Sequence, residues 1–366
     1  MHRCRYLVVC LLLLGSIPHV SAQAEPPPPA AVDASTRSAV VEALGKQLKA
    51  NYVFPAVADK VAVELSANAA HGAYNGSKTT DAFATALTAD LSKAGQDRHL
   101  RVLYDPSFKA STGDQKAPTQ EDVDETRKFV LHMGFGIAKV ERLPGNVGYL
   151  DLRAFPPAEF VTGAYASAMN LLSGTDALIL DLRQNGGGDP ASVANFLSYF
   201  FTEGDSRHLN DLYWRHDNST QQYWTMPVAG ARYAKPVYVL TSAYTFSGGE
   251  ECAYDFQTQK RATLVGQTTG GGANPGDAFS LGHGFVAFIP TGRAINPITK
   301  TNWEHVGVKP DVTVAAADAM KTAYTSILES LIQKTKDSGQ RDALQRTLAR
   351  VRKGEDEKPN YEPPEQ

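Results

Sequence analysis

Apolar residues recur three or four positions apart in the first third of the chain. Three such series are present: Val41, Leu44 and Leu48, then Val57, Val61 and Leu65, then Phe83, Leu87 and Leu91. This period places the members of each series on one face of a helix. The pattern therefore predicts a small bundle of about three helices, which forms an N-terminal subdomain over residues 37–95.

After residue 95 the pattern changes to short apolar runs, each followed by a helical segment. The runs 147–155, 177–183 and 236–242 have the composition of strands, and the second is almost entirely apolar, as strands buried on both faces are. Strands that are joined through helices pair in parallel, with right-handed crossovers. We therefore expect an α/β core over residues 96–335 with a mixed, largely parallel sheet.

Residues 202–235 interrupt this alternation. They are rich in aromatic residues but show no clear period. We predict a long surface excursion that caps the core. The alternative is that its aromatic side chains line a pocket for a hydrophobic ligand.

The two ends of the chain differ in composition from the predicted core. Residues 1–22 combine a basic start, an apolar run and small residues, which predicts a secretory signal peptide. Residues 23–36 are rich in Pro and Ala and predict an extended linker. Residues 336–366 are strongly charged and predict a helix followed by a partly disordered tail. We therefore expect an exported protein, periplasmic or secreted, from a bacterial host.

Composition excludes several classes of partner. A formal net charge of −3 over 366 residues argues against nucleic acid and against an anionic membrane surface. No run beyond the signal peptide is apolar enough to span a membrane. Removal of the signal peptide leaves Cys252 as the single cysteine, so no internal disulfide is expected. No pair of histidines or cysteines has the spacing of metal ligands, and we expect neither a metal nor a cofactor. The oligomeric state stays open.

Two glycine-containing loops follow predicted parallel strands and carry candidate chemistry. The first is "QNGGGDP" (184–190), and the second is "TSAYTFSGGE" (241–250), which contains Ser247. Loops that follow parallel strands emerge at the same edge of a sheet, so the two are expected to face each other. Ser247 is then either an ordinary helix N-cap, a nucleophile, or both. As a nucleophile it would use the backbone N–H of Gly248, with a second N–H from the glycine turn, as an oxyanion hole.

A serine nucleophile needs a base, because its hydroxyl is weakly nucleophilic at neutral pH. The histidines outside the signal peptide and the polar surface stretches are His99, His132, His283 and His305. His99 is predicted to start a strand right after a helical segment, and it stands two residues after Asp97. Composition alone does not choose among the four.

With these loops in view, the chain resembles the serine peptidases that include carboxyl-terminal (tail-specific) processing proteases, the tricorn core protease and the repeats of interphotoreceptor retinoid-binding protein. The resemblance spans residues 36–315, and the paired blocks "DLRQNGGG" and "TSAYTFSGGE" are its most specific part. It implies a ClpP/crotonase-like βαβ core. It also implies Ser247 as the nucleophile.

The family contains two catalytic styles, and the resemblance favours one of them. Processing proteases place a lysine in a block matched here by "GQTTGGGAN" (266–274), which has glycine in its place. The tricorn and retinoid-binding branch uses a histidine and a glutamate, which match His99 in "DRHLRV" and Glu304 in "NWEHVGVKPD". That branch implies His99 as general base and Glu304 as an assisting acid. Gly248 with Gly187 or Gly188 would then bind the oxyanion.

The chain departs from many family members between residues 107 and 146. Those 40 or so residues are too few for the PDZ domain that many relatives carry there. The leading hypothesis is therefore an exported serine peptidase that cleaves peptides or unfolded proteins, without an implied tail specificity. A non-catalytic module for hydrophobic ligands and an esterase that uses the same site are the alternatives.

Overall fold

The computed structural model describes residues 31–108 and 118–355. The predicted signal peptide (1–22), the first part of the predicted linker (23–30) and the end of the predicted tail (356–366) lie outside the described residues.

The described residues form α-helices and β-strands that we number in chain order. The helices are α1 (Ala34–Asn51), α2 (Pro55–Ala70), α3 (Thr80–Gly95), α4 (Gln120–His132), α5 (Ala158–Leu172), α6 (Pro190–Leu197), α7 (Gly248–Thr258), α8 (Ala316–Lys334) and α9 (Ser338–Lys353). The strands are β1 (Arg101–Tyr104), β2 (Ile137–Leu143), β3 (Val147–Leu152), β4 (Ala177–Asp181), β5 (His208–Trp214), β6 (Ser219–Trp224), β7 (Val237–Thr241), β8 (Thr263–Gly266), β9 (Gly276–Gly282), β10 (Phe285–Pro290), β11 (Gly292–Ile295) and β12 (Val312–Thr313).

The three N-terminal helices share a core with a small antiparallel sheet. α1 begins after Asp33, whose carboxylate accepts from the Thr36 N–H at 2.7 Å, and α2 begins with Pro55, the residue that suits a first helical position. β1 pairs with β10, and β10 pairs with β9. Phe83 of α3 packs edge to face on Phe285 of β10, with ring centroids 5.5 Å apart. A strand that follows the bundle is thus fixed to two strands from much later in the chain.

The main sheet has six strands in the order β12-β8-β7-β4-β3-β2. Every neighbouring pair is parallel except β2 with β3, which confirms the predicted mixed, largely parallel sheet. Helices cover both faces. Apolar side chains of α5, α6 and α7 pack on one face, and those of α8 and α9 pack on the other. The carboxyl ends of β4 and β7 carry the two glycine loops.

Residues 202–235 differ from the predicted surface excursion. β5 and β6 form an antiparallel hairpin, and β11 pairs with β5. Leu209, Leu212 and Trp214 are buried in the main core. A register shift between His208 and Asn210 interrupts the alternation of inward and outward side chains. This bulge explains why no period of two is visible in the sequence.

Among the helices that the structure describes, none combines the length and the hydropathy that a membrane span requires.

Candidate active site

Ser247 lies in a sharp turn between β7 and α7, at the N-cap position of that helix. Its backbone angles are φ 53° and ψ −122°, which are unusual for a residue with a side chain. Such a conformation costs about 1–3 kcal/mol and persists only where the surroundings impose it. The Phe246 N–H donates to the Asn185 carbonyl at 3.0 Å, and the Ser247 N–H donates to Glu250 Oε2 at 2.9 Å. These bonds hold the turn from both sides.

The glycine turn after β4 lies directly against Ser247. Gly187 and Gly188 have φ values of 99° and 143°, which favour glycine. A Cβ added to Gly187 would lie 2.7 Å from Ser247 Cβ, and one added to Gly248 would lie 3.0 Å from the Gly188 nitrogen. The two loops therefore meet, as the sheet topology predicts.

The amides of these glycines are not equivalent. The Gly187 N–H donates to Asn185 Oδ1 at 2.8 Å, so it is committed to the turn itself. Within the described residues, the N–H groups of Gly188 and Gly248 have no hydrogen-bond acceptor. Gly188 and Gly248 thus present two free donors beside the serine, which is the pattern of an oxyanion hole.

His99 lies between α3 and β1, two residues before the strand, rather than at its start. Its backbone N–H donates to Asp97 Oδ1 at 2.9 Å, and its Nδ1 lies 3.9 Å from the same oxygen. Its ring packs on Phe246, with centroids 4.6 Å apart. Because Phe246 precedes Ser247, this contact places the imidazole beside the turn that contains Ser247. No hydrogen bond joins the Ser247 hydroxyl to the His99 ring within the described residues.

Burial sets the protonation state of His99. The side chain is buried, and this desolvation lowers its pKa to about 4. Asp97 opposes the shift by attracting the charged form, and Arg101 adds to it by repulsion. The imidazole is therefore neutral at physiological pH, the form that accepts a proton.

Glu304 lies in the same cluster. Its Oε2 accepts from the Ala273 N–H at 2.6 Å, whereas its Oε1 is buried without a hydrogen-bond partner among the described residues and lies 3.9 Å from His305 Nδ1. One donor atom each from Asp97, His99 and Glu304 lie within 4.8 Å of one another. Burial and the nearby Asp97 charge raise the pKa of Glu304 well above its usual value. The structure thus brings together His99 and Glu304, and adds Asp97 as a second acid.

Asp97 is held in place more firmly than Glu304. Besides the His99 amide, its carboxylate accepts from the Tyr52 hydroxyl at 3.1 Å and from Asn274 Nδ2 at 2.9 Å. Asp97 stands two residues before His99, which is the signal in the sequence that could have marked it as the orienting acid.

Glu250 was not singled out by the sequence analysis, yet it connects the site. Its carboxylate accepts from the Thr269 hydroxyl at 2.5 Å, and from the N–H groups of Gly271 and Gly272 at 2.6 and 2.8 Å, in addition to Ser247. Burial raises its pKa to about 7, although all four donors favour the ionised form. The spacing of Ser247 and Glu250 is that of a capping box, a signal that could have identified it.

Gly272 provides the space that the His99 ring occupies. A Cβ at this position would lie 2.2 Å from Phe246 Cζ and 2.7 Å from His99 Cε1, both far inside contact distance. The loop 269–274 therefore touches Phe246 and His99 and binds Glu250 and Glu304.

The other candidate histidines lie elsewhere or are more exposed. His132 ends α4, His283 lies in the turn between β9 and β10, and the His305 side chain is 47% exposed. Cys252 is fully buried in α7, and burial raises the pKa of its thiol well above the usual value. The thiol is therefore part of the core.

Two family descriptions match the sequence in adjacent segments. "Peptidase family S41" matches residues 146–314, and "N-terminal domain of Peptidase_S41 in eukaryotic IRBP" matches residues 34–135. The chain belongs to peptidase family S41. The match confirms the predicted resemblance to the processing proteases and the retinoid-binding protein, and it covers the segments that carry Ser247, His99 and Glu304.

Curated relatives of this S41 chain are processing proteases. It is 32% identical over 101 residues to the tail-specific protease of Haemophilus influenzae, covering 26% of this chain and 13% of that protein. It is 28% identical over 183 residues to the chloroplastic carboxyl-terminal-processing peptidase 2 of Arabidopsis thaliana, covering 46% of this chain and 33% of that protein. The matched regions are thus less than half of either relative.

Solved structures share the fold over most of the chain. A candidate peptidase from Parabacteroides merdae superposes with a TM-score of 0.54 at 19% identity, covering 83% of this chain and 98% of its own. A lipoprotein from Streptococcus agalactiae gives 0.51 at 15% identity, with 80% and 96% covered. At these identities the likeness concerns the fold, and it confirms the α/β architecture.

Proposed function

We propose that this protein is a serine peptidase in which Ser247 is the nucleophile and His99 the general base. The observation that carries the proposal is the geometry of the turn. A strained serine stands beside two free N–H donors, Gly188 and Gly248, and its neighbour Phe246 packs on a buried neutral imidazole. A structural N-cap needs none of these features.

The reaction follows from the protonation states. The Ser247 hydroxyl rotates toward His99, gives up its proton to the imidazole and attacks the scissile carbonyl. The N–H groups of Gly188 and Gly248 bind the oxyanion that forms, an interaction worth about 2.7–4 kcal/mol per donor in such sites. His99 then delivers the proton to the leaving amine, and an acyl-enzyme remains. Water, deprotonated by His99, releases the acyl group and restores the serine.

The two acids have different tasks in this scheme. Asp97, fixed by three donors, orients the His99 ring and stabilises its charged form. Glu304 holds the loop at Ala273 and supports the imidazole from a second side. Both are positioning residues, because neither touches the reacting atoms.

The substrate class proposed is peptides or unfolded proteins. The family membership and the names of the processing relatives support it. Between residues 107 and 146, the described part consists of α4, β2 and short connections, which is too little for a PDZ domain. Tail specificity is therefore not part of the proposal. Export to the periplasm or the medium through residues 1–22 is part of it.

A fluorophosphonate probe tests the proposal, because it reacts with activated serines. We expect peptide mapping to find the label at Ser247 in the wild-type protein, and labelling to fall at least about 100-fold in Ser247→Ala and His99→Ala. Asp97→Asn and Glu304→Gln should label slowly. Ser219→Ala, whose hydroxyl bonds only Asp217 on the surface, is the matched control. A well-folded protein that neither labels nor cleaves an unfolded protein substrate would contradict the proposal. Labelling with ester turnover but no peptide cleavage would favour the esterase alternative.

A further inference from the structure

The cluster around His99 contains several buried polar atoms that lack a hydrogen bond. Among the described residues, His99 Nδ1, Glu304 Oε1 and Asn274 Oδ1 are all buried without a hydrogen-bond partner, although Asp97 Oδ1 and His305 Nδ1 lie 3.9 Å from the first and the second. The first two belong to side chains that are 7% and 10% exposed. A buried polar atom without a partner costs about 1–3 kcal/mol, so three in one place point to a ligand that satisfies them together.

The donor atoms have the identity and spacing of a cation site. Asp97, His99 and Glu304 each offer one ligand atom, and the three atoms lie within 4.8 Å of one another. Around a tetrahedral Zn²⁺ the ligand atoms lie roughly 3.4 Å from one another. Side-chain rotations that move the ligand atoms by about 1 Å would therefore bring all three within coordination distance of one ion. Carboxylate oxygens and an imidazole nitrogen are ligand atoms that Zn²⁺ takes in proteins.

We propose that Asp97, His99 and Glu304 form a binding site for a divalent transition-metal ion such as Zn²⁺. The ligands come from residues 97–99 and from residue 304, which meet only in the folded protein. The spacing of histidines and cysteines along the sequence could not reveal such a site.

The surroundings of the three side chains resemble the outer shell of a metal centre. Tyr52 and Asn274 donate to Asp97 Oδ2 and leave Oδ1 directed at His99. The Ala273 N–H donates to Glu304 Oε2 and leaves Oε1 without a hydrogen bond, 3.9 Å from His305 Nδ1. Outer partners of this kind fix ligand orientation and commonly change metal affinity 10- to 100-fold.

A bound metal ion would prevent His99 from acting as the general base. This part of the inference rests on the proposed function. An imidazole whose Nδ1 lone pair is bound to a metal carries its ring hydrogen on Nε2, so it has no lone pair with which to accept the Ser247 proton. Zinc would then inhibit the peptidase reversibly, and a chelator would restore it. Metal binding itself does not depend on peptidase activity. An experiment can therefore contradict the metal site without contradicting the proposed function, and the reverse.

Binding is measured first on the Ser247→Ala protein, which retains the three ligands. Titration with Zn²⁺ followed by calorimetry gives the affinity, and Co²⁺ in place of Zn²⁺ gives the visible absorption of a four-coordinate ion. We expect Asp97→Asn and Glu304→Gln each to weaken binding at least about tenfold, because an amide is a poor replacement for a carboxylate ligand. His208→Ala removes a partly buried histidine of β5 that pairs with Asp211 at 2.7 Å, and it is the control that should bind normally.

The outcomes separate clearly. Loss of binding in both carboxamide variants, with thermal unfolding unchanged in the absence of metal, supports the site. Equal affinity in the Ser247→Ala protein and in the carboxamide variants overturns it, as does the absence of any binding. If Asp97→Asn fails to fold, Glu304→Gln alone decides. Binding without inhibition of an active enzyme would refute the inhibitory role and leave the metal site standing.

Discussion

The hydroxyl of Tyr52 donates a hydrogen bond to Oδ2 of Asp97, with 3.1 Å between the two oxygens. Tyr52 is the C-cap residue of α1, and Asp97 is the acid nearest the proposed base. A buried hydrogen bond therefore links the end of the first helix to the site. It follows that a change in the first helix should alter the chemistry at His99.

Tyr52→Phe should reduce kcat/KM several-fold with little change in KM. The variant removes one donor from Asp97, so the carboxylate orients His99 less firmly. The loss in stability should be about 1 kcal/mol, the usual value for one hydrogen bond. Tyr74→Phe is the matched control, because Tyr74 donates to Asp90 at 2.6 Å in the same subdomain. Equal activity in the two variants would show that the Tyr52 bond is structural only.

The pH profile of kcat/KM should reveal the buried base. His99 acts in its neutral form, and burial lowers its pKa to about 4. Activity should therefore persist below the ordinary histidine pKa of about 6.5 and fall as the pH drops through about 4. Arg101→Gln should move this acid limb upward, because Arg101 lowers the pKa of His99. An acid limb near 6.5 that Arg101→Gln does not move would rule out His99, in this environment, as the base.

Gly272→Ala should inactivate the enzyme at a modest cost in stability. The new methyl group would overlap Phe246 and His99, so one or both rings must move. Overpacking of this kind costs about 1–3 kcal/mol, whereas displacing a catalytic group by 1 Å can cost about 100-fold in rate. Gly174→Ala is the control, since a Cβ there meets no atom within 4 Å. Adding Phe246→Leu to Gly272→Ala should restore part of the activity, and the failure of that rescue in a folded protein would point away from a steric cause.

Glu250→Gln should loosen the loop 269–274. All four groups that face the carboxylate are donors, so an amide nitrogen in its place would meet a donor and leave two groups unsatisfied. We expect a loss of about 1–3 kcal/mol in the free energy of unfolding and faster hydrogen exchange at Gly271 and Gly272. Glu329→Gln, which breaks an exposed ion pair with Arg352, should change neither. Identical exchange in the two variants would contradict an anchoring role.

Much of the fold could be predicted from the sequence because its signals are local. The helices 37–95 follow from the spacing of residues such as Leu44 and Leu48, and the parallel strands from their apolar runs. The β5–β6 hairpin could not be predicted, because the bulge at Asn210 disrupts the alternation and places a polar residue inside the core.

The candidate site was predictable only in part, for a similar reason. Ser247, His99 and Glu304 stand in motifs, and the structure brings them to the same region of the fold. The part played by Glu250 depends on amides 21 and 22 residues further along the chain. The choice of Gly188 over Gly187 depends on which amide the Asn185 side chain has already engaged. Contacts of this kind produce no periodic pattern in the sequence from which they could be predicted.

Because β1 pairs with β10, the segment that carries His99 can be fixed only after β10 has been synthesised. His99 precedes β1 by two residues, and β1 is held by Phe285–Pro290, while the Val53 N–H donates to the Pro290 carbonyl at 2.8 Å. During synthesis, Ser247 and its turn are made long before the strand that fixes the histidine segment exists. Glu304 comes later still. A chain that is still being made therefore lacks the complete set of site residues, so any proteolytic activity arises only once nearly the whole fold has formed.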